Sequence, residues 1–167
     1  IKGQLNLLKA ISRIKQNNIF IHFIGEIYDQ NYYQEIKELT SLNNLQKRVF
    51  FEGCLGYAKI IHFYKKANLF VLPSLYEAYG MVLHEAMRFG LPIIASNVGG
   101  IPEIIEHNKT GLLTEKNNVQ ELKSSIERLL NISCLRKRLC SNAYLKSFEF
   151  NSWEQIMEKY QLLLNRK

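Results

Sequence analysis

The chain predicts an α/β fold, a Rossmann-like parallel sheet with helices on both faces. Three observations predict it. Short apolar runs alternate with stretches of helical periodicity through most of the sequence. The first of these runs is nearly continuous rather than alternating, as in a strand covered on both sides. Three of the runs end on Gly25, Gly53 and Pro73, residues that turn the chain out of a sheet. Strand–helix–strand repetition of this kind closes through right-handed crossovers, which gather the strand-exit loops on one edge. Ligands of such sheets bind at that edge.

The elements follow in order. Residues 4 to 15 place Leu5, Leu8, Ile11 and Ile14 on one helical face. The run Ile19 to Ile24 reads as a strand buried on both faces, ended by Gly25. A polar helix is expected over Tyr32 to Leu42, and a strand over Val49 to Glu52 before Gly53. Tyr57 to Lys66 reads as helix, and Leu69 to Leu72 as strand before Pro73. Gly80 to Phe89 reads as a helix stopped by Gly90. Strands are expected at Pro92 to Ala95 and Gly111 to Thr114. Helices then take over at 119 to 130, 133 to 145 and 152 to 165. No linker, repeat or low-complexity stretch divides the chain, so it reads as one domain over 1–167 with a helical extension from about residue 119.

Composition excludes several classes. At 167 residues, 47% hydrophobic and 22% charged, the chain has material for a core and is not a disordered segment. No apolar run nears the roughly 18 residues of a membrane span. Cys54, Cys134 and Cys140 are odd in number and lack C-x-x-C spacing, which argues against a disulfide framework or a zinc site. They fit a reducing, cytoplasmic setting. The net charge of +7 suits an anionic partner without choosing among nucleic acid, membrane surface and phosphorylated small molecule.

The strand-exit loops carry the chemistry. After the third strand runs Pro73-Ser74-Leu75-Tyr76-Glu77-Ala78-Tyr79-Gly80, and after the fourth Ser96-Asn97-Val98-Gly99-Gly100-Ile101-Pro102-Glu103. Tyr79-Gly80 opens a helix, whose free amides and positive dipole end suit a phosphate. Gly99-Gly100, before a helix starting near Pro102, offers a second such turn, and two on one edge suggest a diphosphate. Glu77 and Glu85 would lie about 12 Å apart if joined by continuous helix. That exceeds the roughly 5 to 9.5 Å of glycosidase carboxylate pairs. It suits two acceptors holding hydroxyls at different parts of an elongated ligand. The bland alternatives are a capping role for Glu77, an ion pair from Glu85 to Arg88, and a plain turn at Gly99-Gly100. Glu103 reads as a first-turn complement to the helix dipole. His84 is expected on the exposed side of its helix, and His22 and His62 in apolar surroundings.

At this point the string PSLYEAYGMVLHEAMRFGLPIIASNVGGIPEIIEHNKTGLL resembles the donor-binding signature of family 4 glycosyltransferases of the GT-B fold. Glu77 and Glu85 match the family's E-x7-E, Gly90 to Ala95 its G-x-P-[VI]-[IV]-A, and Gly99 to Glu103 its G-G-x-P-E. Thr110 to Leu113 match its T-G-L-L, and the VFFEGCL, ANLFVLPS and NSWEQIMEKY stretches are similar too. The resemblance implies the C-terminal, nucleotide-sugar-binding half of a retaining transferase. Glu85 would hold ribose hydroxyls. Glu77 would act at the transferred sugar, near the reacting centre. The amides of Tyr79, Gly80 and Met81 would meet sugar and pyrophosphate, with Gly25 and the Gly99-Gly100 turn on the same donor site. Gly53 and Cys54 would line the base, and Lys2 would neutralise the pyrophosphate. At a chain terminus Lys2 is expected to lack a fixed place. No metal or other cofactor is implied, because cationic groups face the leaving diphosphate.

Three departures matter. The family's phosphate-binding arginine and the first strand would precede residue 1. A second glycine expected after Gly25 is replaced by Glu26-Ile27-Tyr28. The acceptor-binding N-terminal GT-B domain, with its histidine, is not within this sequence. The implied partners are therefore a nucleotide sugar, that missing domain, and an acceptor glycan or lipid-linked glycan, as in polysaccharide biosynthesis. Leu135-Arg136-Lys137-Arg138 reads as a solvated helix face, with the charge to touch the inner face of an anionic membrane as a peripheral protein. Rival readings are a nucleotide-sugar epimerase or phosphorylase of similar fold and a non-catalytic sugar- or nucleotide-binding module. Nucleic-acid binding is disfavoured, because Lys and Arg are scattered over many helices.

Overall fold

The computed structural model describes residues 1–149. The helix expected at 152 to 165 lies outside the described residues. Along the chain run α1 (Gln4–Ile11), β1 (Ile21–Ile24), α2 (Gln30–Leu42), β2 (Val49–Gly53), α3 (Tyr57–Lys66), β3 (Phe70–Leu72), α4 (Met81–Arg88), β4 (Ile93–Ser96), α5 (Ile101–Ile104), β5 (Leu112–Thr114), α6 (Val119–Asn131) and α7 (Ser133–Lys146).

All strand pairs are parallel, but they fall into two hydrogen-bonded pieces, β1-β2 and β3-β4-β5. The sequence predicts one sheet, because periodicity identifies strands without naming their partners. Beside the exit of β3 runs the start of the chain: the Leu75 amide donates to the Ile1 carbonyl at 2.7 Å. A Cβ on Gly3, where φ is +72°, would lie 1.9 Å from the Pro73 carbonyl oxygen. Only glycine permits that backbone approach.

Helices cover both faces, and β4 shows how. Its residues are all buried. Ile94 joins Leu112 and the apolar stripes of α1, α6 and α7, through Leu8, Ile11, Ile126, Leu129 and Leu139. Ile93 and Ala95 point the other way, into Tyr64 of α3, Leu83 and Met87 of α4, and Ile101 and Ile104 of α5. The alternation of side chains along a strand produces the two cores directly. The first core also takes Ile21 of β1, Val49 of β2 and Ile36 of α2, so both sheet pieces rest on it.

Three expectations need correction. α1 stops at Ile11, four residues short, because the chain tightens into i to i+3 bonds, Arg13 N–H to Ala10 and Ile14 N–H to Ile11. Ile14 still reaches the core. β1 is not buried on both faces: Ile24 is 39% exposed, and His22 stacks on Phe50 with ring centroids 5.0 Å apart. His22 also pairs with Glu52 at 2.7 Å, so its setting is partly polar. Of the basic run on α7, Leu135 is buried and Arg136 donates to the carbonyls of Leu129 and Leu130, finishing α6. Only Lys137 and Arg138 match the solvated face. Among the described residues, no helix is long and apolar enough to cross a membrane.

Candidate functional site

β3 delivers the chain into the Pro73–Gly80 loop, and Glu77 sits where that loop meets the start of α1. The Lys2 ammonium donates to Glu77 Oε2 at 2.6 Å, across 75 residues of sequence. The lysine expected to lack a fixed place is therefore held by the carboxylate proposed to act. The lysine side chain is 53% exposed and the glutamate 13%, so the carboxylate is the sheltered partner and the cation faces solvent. Glu77 does not cap α4. Its Cγ instead lies 3.5 Å from where a Gly80 Cβ would stand. Gly80 holds φ at +84° as the residue before the helix, and among the described residues no side chain caps that end. The Leu83 amide donates back to the Gly80 carbonyl at 2.8 Å, so the amides that precede it and the positive dipole end of an eight-residue helix are what an anion could meet, with Met81 71% exposed beside them.

The Gly99-Gly100 turn meets the same loop main chain to main chain. A Cβ on Gly99 would lie 1.8 Å from the Glu77 carbonyl oxygen, and one on Gly100 2.6 Å from that of Ala78. The Gly100 amide already donates to the Glu77 carbonyl at 3.3 Å. These glycines thus have a packing reason of their own. They let two strand-exit loops touch, and so fix where Glu77 sits. Pro102 falls within the first turn of α5, with Glu103 as its acidic complement.

Glu85 lies one turn into α4. Arg88 is not its partner: that guanidinium stacks 4.1 Å over the Phe148 ring. Glu85 Oε2 accepts instead from the Tyr64 hydroxyl of α3 at 2.8 Å. The two residues line a cavity of about 190 Å³ with Tyr57, His84, Arg88 and Phe89. Burial, then the bond to Glu85, pushes the Tyr64 phenol well above its ordinary range. His84 is not fully exposed. It stacks on Tyr79 at 5.3 Å, and burial, with the Lys146 charge, lowers its pKa. Tyr64 is the site residue that sequence reasoning missed. Its one local signal is the seven-residue spacing from Tyr57, which puts both on one side of α3.

Gly25 and Gly53 end the other sheet piece. The Gly25 amide donates to the Gly53 carbonyl at 2.9 Å, and a Cβ on either would meet nothing within 4 Å. Positive φ, +143° and +67°, is what requires glycine there. Cys54 beside them is exposed. The structure thus brings Lys2, Glu77, Gly80, Gly99 and Gly100 into one cluster, places Glu85 on the next turn outward, and leaves Gly25, Gly53 and Cys54 on a separate shelf. Among the described residues, no hydrogen bond or ion pair joins shelf and cluster. A larger hollow of about 490 Å³ lies at the strand-entry end, between Lys65, Pro92 and Arg136, and shares Tyr64 and Phe89 with the smaller cavity.

Comparison with known proteins identifies the family and the fold. Residues 1–146 match the family described as glycosyl transferases group 1. An uncharacterised glycosyltransferase of Methanocaldococcus jannaschii is 37% identical over 156 residues, covering 93% of this chain and 42% of its own length. The chain spans less than half the length of that relative. Anabaena HepE, whose structure holds UDP-glucose, superposes with a TM-score of 0.90 at 25% identity, covering 99% of this chain and 46% of HepE. The C-terminal domain of a group 1 glycosyl transferase from Francisella tularensis has the same fold, with a TM-score of 0.78 at 24% identity, covering 95% of this chain and 80% of that one. Motif and parallel sheet agree with these likenesses: the chain belongs to the group 1 glycosyl transferases and has the fold of the C-terminal domain of GT-B enzymes.

Proposed function

We propose that this domain binds the nucleotide-sugar donor of a retaining transferase that moves a hexose-type sugar to a hydroxyl of a glycan or lipid-linked glycan. The observation that carries the reading is the meeting of Lys2, Glu77 and the uncapped start of α4 at Gly80. Two kinds of positive charge, an ammonium and a helix N-terminus, flank one sheltered carboxylate. A leaving nucleoside diphosphate gains negative charge as the bond to the anomeric carbon breaks, and the cationic groups stabilise it. Glu77 faces the sugar, and the Tyr79, Gly80 and Met81 amides face sugar and pyrophosphate. Glu85 accepts from the ribose diol, and the Gly25, Gly53 and Cys54 shelf receives the base. The Gly99-Gly100 turn contributes by fixing the Glu77 backbone. No metal is required in this reading, so EDTA leaves donor binding unchanged.

The resemblance to a protein that holds UDP-glucose supports the donor class. The partial coverage of relatives supports a second, acceptor-binding domain as partner, without which residues 1–167 bind donor but do not turn it over. The split sheet and the Leu75–Ile1 backbone bond support a strand entering at Ile1 between the two pieces. A cytoplasmic site of action, with peripheral contact to the inner membrane face through Lys137 and Arg138, belongs to the same reading.

Saturation-transfer NMR with a panel of nucleotide sugars tests it, with Glu85→Ala as control. Donor-specific transfer that the substitution weakens is the expected result. Transfer from no nucleotide sugar, or a signal indifferent to Glu85, overturns it.

A further inference from the structure

We infer that Tyr64 is a positioning residue for the donor's ribose, acting through Glu85. The inference rests on the reading of Glu85 as the diol acceptor. A carboxylate on a helix surface ordinarily samples several rotamers, and it holds a vicinal diol only in those that turn its free lone pairs to the ligand. Here one oxygen is committed: Tyr64 donates to Oε2 at 2.8 Å. No hydrogen bond among the described residues uses Oε1.

The donor itself is fixed. The Tyr64 ring is 9% exposed, stacked on Phe89 with centroids 5.1 Å and planes 4° apart, and tilted against Phe70 at 6.0 Å. A hydroxyl on so constrained a ring reaches one place. Its phenol is held above its ordinary range, so it remains a donor throughout neutral pH. The shared cavity opens beside this pair and is bounded by Tyr57 and His84. Tyr64 touches no reacting atom. It acts by limiting how Glu85 meets the ligand.

The experiment separates positioning from packing. Binding of UDP, ADP and GDP is measured by calorimetry, each beside its 2′,3′-dideoxy analogue, for the wild-type protein, Tyr64→Phe, Glu85→Gln and the double variant. Tyr64→Phe keeps the ring that packs on Phe89 and removes only the donor, and thermal melting confirms that each variant is folded. The wild type should prefer the ribonucleotide, and Glu85→Gln should abolish that preference. Tyr64→Phe should weaken ribonucleotide binding about tenfold, as for loss of a hydrogen bond to a charged group. It should leave the dideoxy analogue unchanged and add nothing in the double variant. Equal weakening of both ligands, or no weakening of either, overturns the role of Tyr64 while leaving Glu85 in place. Absence of binding, absence of ribose preference, or preference that survives Glu85→Gln overturns the reading of Glu85 and this inference with it.

Discussion

The two pieces of sheet are built to different standards. β3-β4-β5 is centred on an enclosed aliphatic strand, with Ile93, Ile94 and Ala95 of β4 and Leu112 of β5 at 0% exposure. β1-β2 is aromatic and open, with Phe50 and Ile24 each 39% exposed and a His22–Glu52 pair on its surface. The loops that leave them differ in packing. After β3 and β4 the main chains meet so closely that a Cβ on Gly99 would strike the Glu77 carbonyl, whereas Gly25 and Gly53, joined to each other by a backbone hydrogen bond, leave open space where a side chain would stand. In the proposed reading the reacting sugar and diphosphate sit on the close-packed end and the base on the open one. Chemistry needs sub-ångström placement, and recognition of a flat base tolerates more.

The largest effect should come from adding one methyl group to each end. Gly99→Ala drives a Cβ to 1.8 Å from the Glu77 carbonyl at a φ of +53°, so the loops must part. A loss of about 3 kcal/mol or more is expected in urea unfolding, with donor binding lost as well. Gly53→Ala meets no atom within 4 Å and bears only the strain of its +67° φ, about 1 kcal/mol. Equal losses at the two positions would break the comparison.

A smaller contrast concerns the strands themselves. Ile94→Ala empties a fully buried position in β4 and should cost about 3 to 4 kcal/mol. Phe50→Ala removes a side chain that is already 39% exposed and should cost roughly 1 to 2 kcal/mol. Native-state hydrogen exchange should show the same order, with β4 amides opening only near the global limit and β1 amides sooner. Uniform exchange through all strands would remove the distinction.

The smallest effect tests what ties α7 to the enclosed piece. Glu106 accepts from Lys109 at 2.7 Å and from Lys146 at 2.8 Å. Hydrogen bonds from Lys109 first, then from Lys146, hold its pKa at about 2, below its ordinary 4.5. A depressed carboxylate stabilises the fold above its unfolded pKa and loses that contribution as pH falls through the folded value. Glu106→Gln should therefore lower the melting temperature slightly at pH 7, with the gap to wild type closing between pH 4.5 and about 2. A gap that persists below that window would deny the ion pairs their role.

What the sequence made legible was local. The stop of α4 at Gly90, the helix start at Gly80 and the Gly99-Gly100 turn are written in dihedral needs that one or two residues express. The E-x7-E spacing and its neighbours identified the family. What stayed hidden was pairing at a distance. Nothing near Lys2 announces Glu77, and nothing near Glu85 announces Tyr64 on the preceding helix. The division of the sheet was hidden for the same reason, since hydrophobic periodicity carries no partner. β1 misled because an apolar run was read as burial, although His22 within it already marked a face with a polar partner.

The contact of Gly99 with the Glu77 carbonyl bears on how such a domain diversifies. Two loops joined main chain to main chain tolerate neither insertion nor deletion at the joint, because every added atom displaces the carboxylate. Novelty in ligand choice is then channelled into side-chain replacement around a frozen hinge of glycines. Tyr76, 67% exposed, flanks that hinge and can change without moving it, whereas Tyr79, though 53% exposed, is stacked on His84.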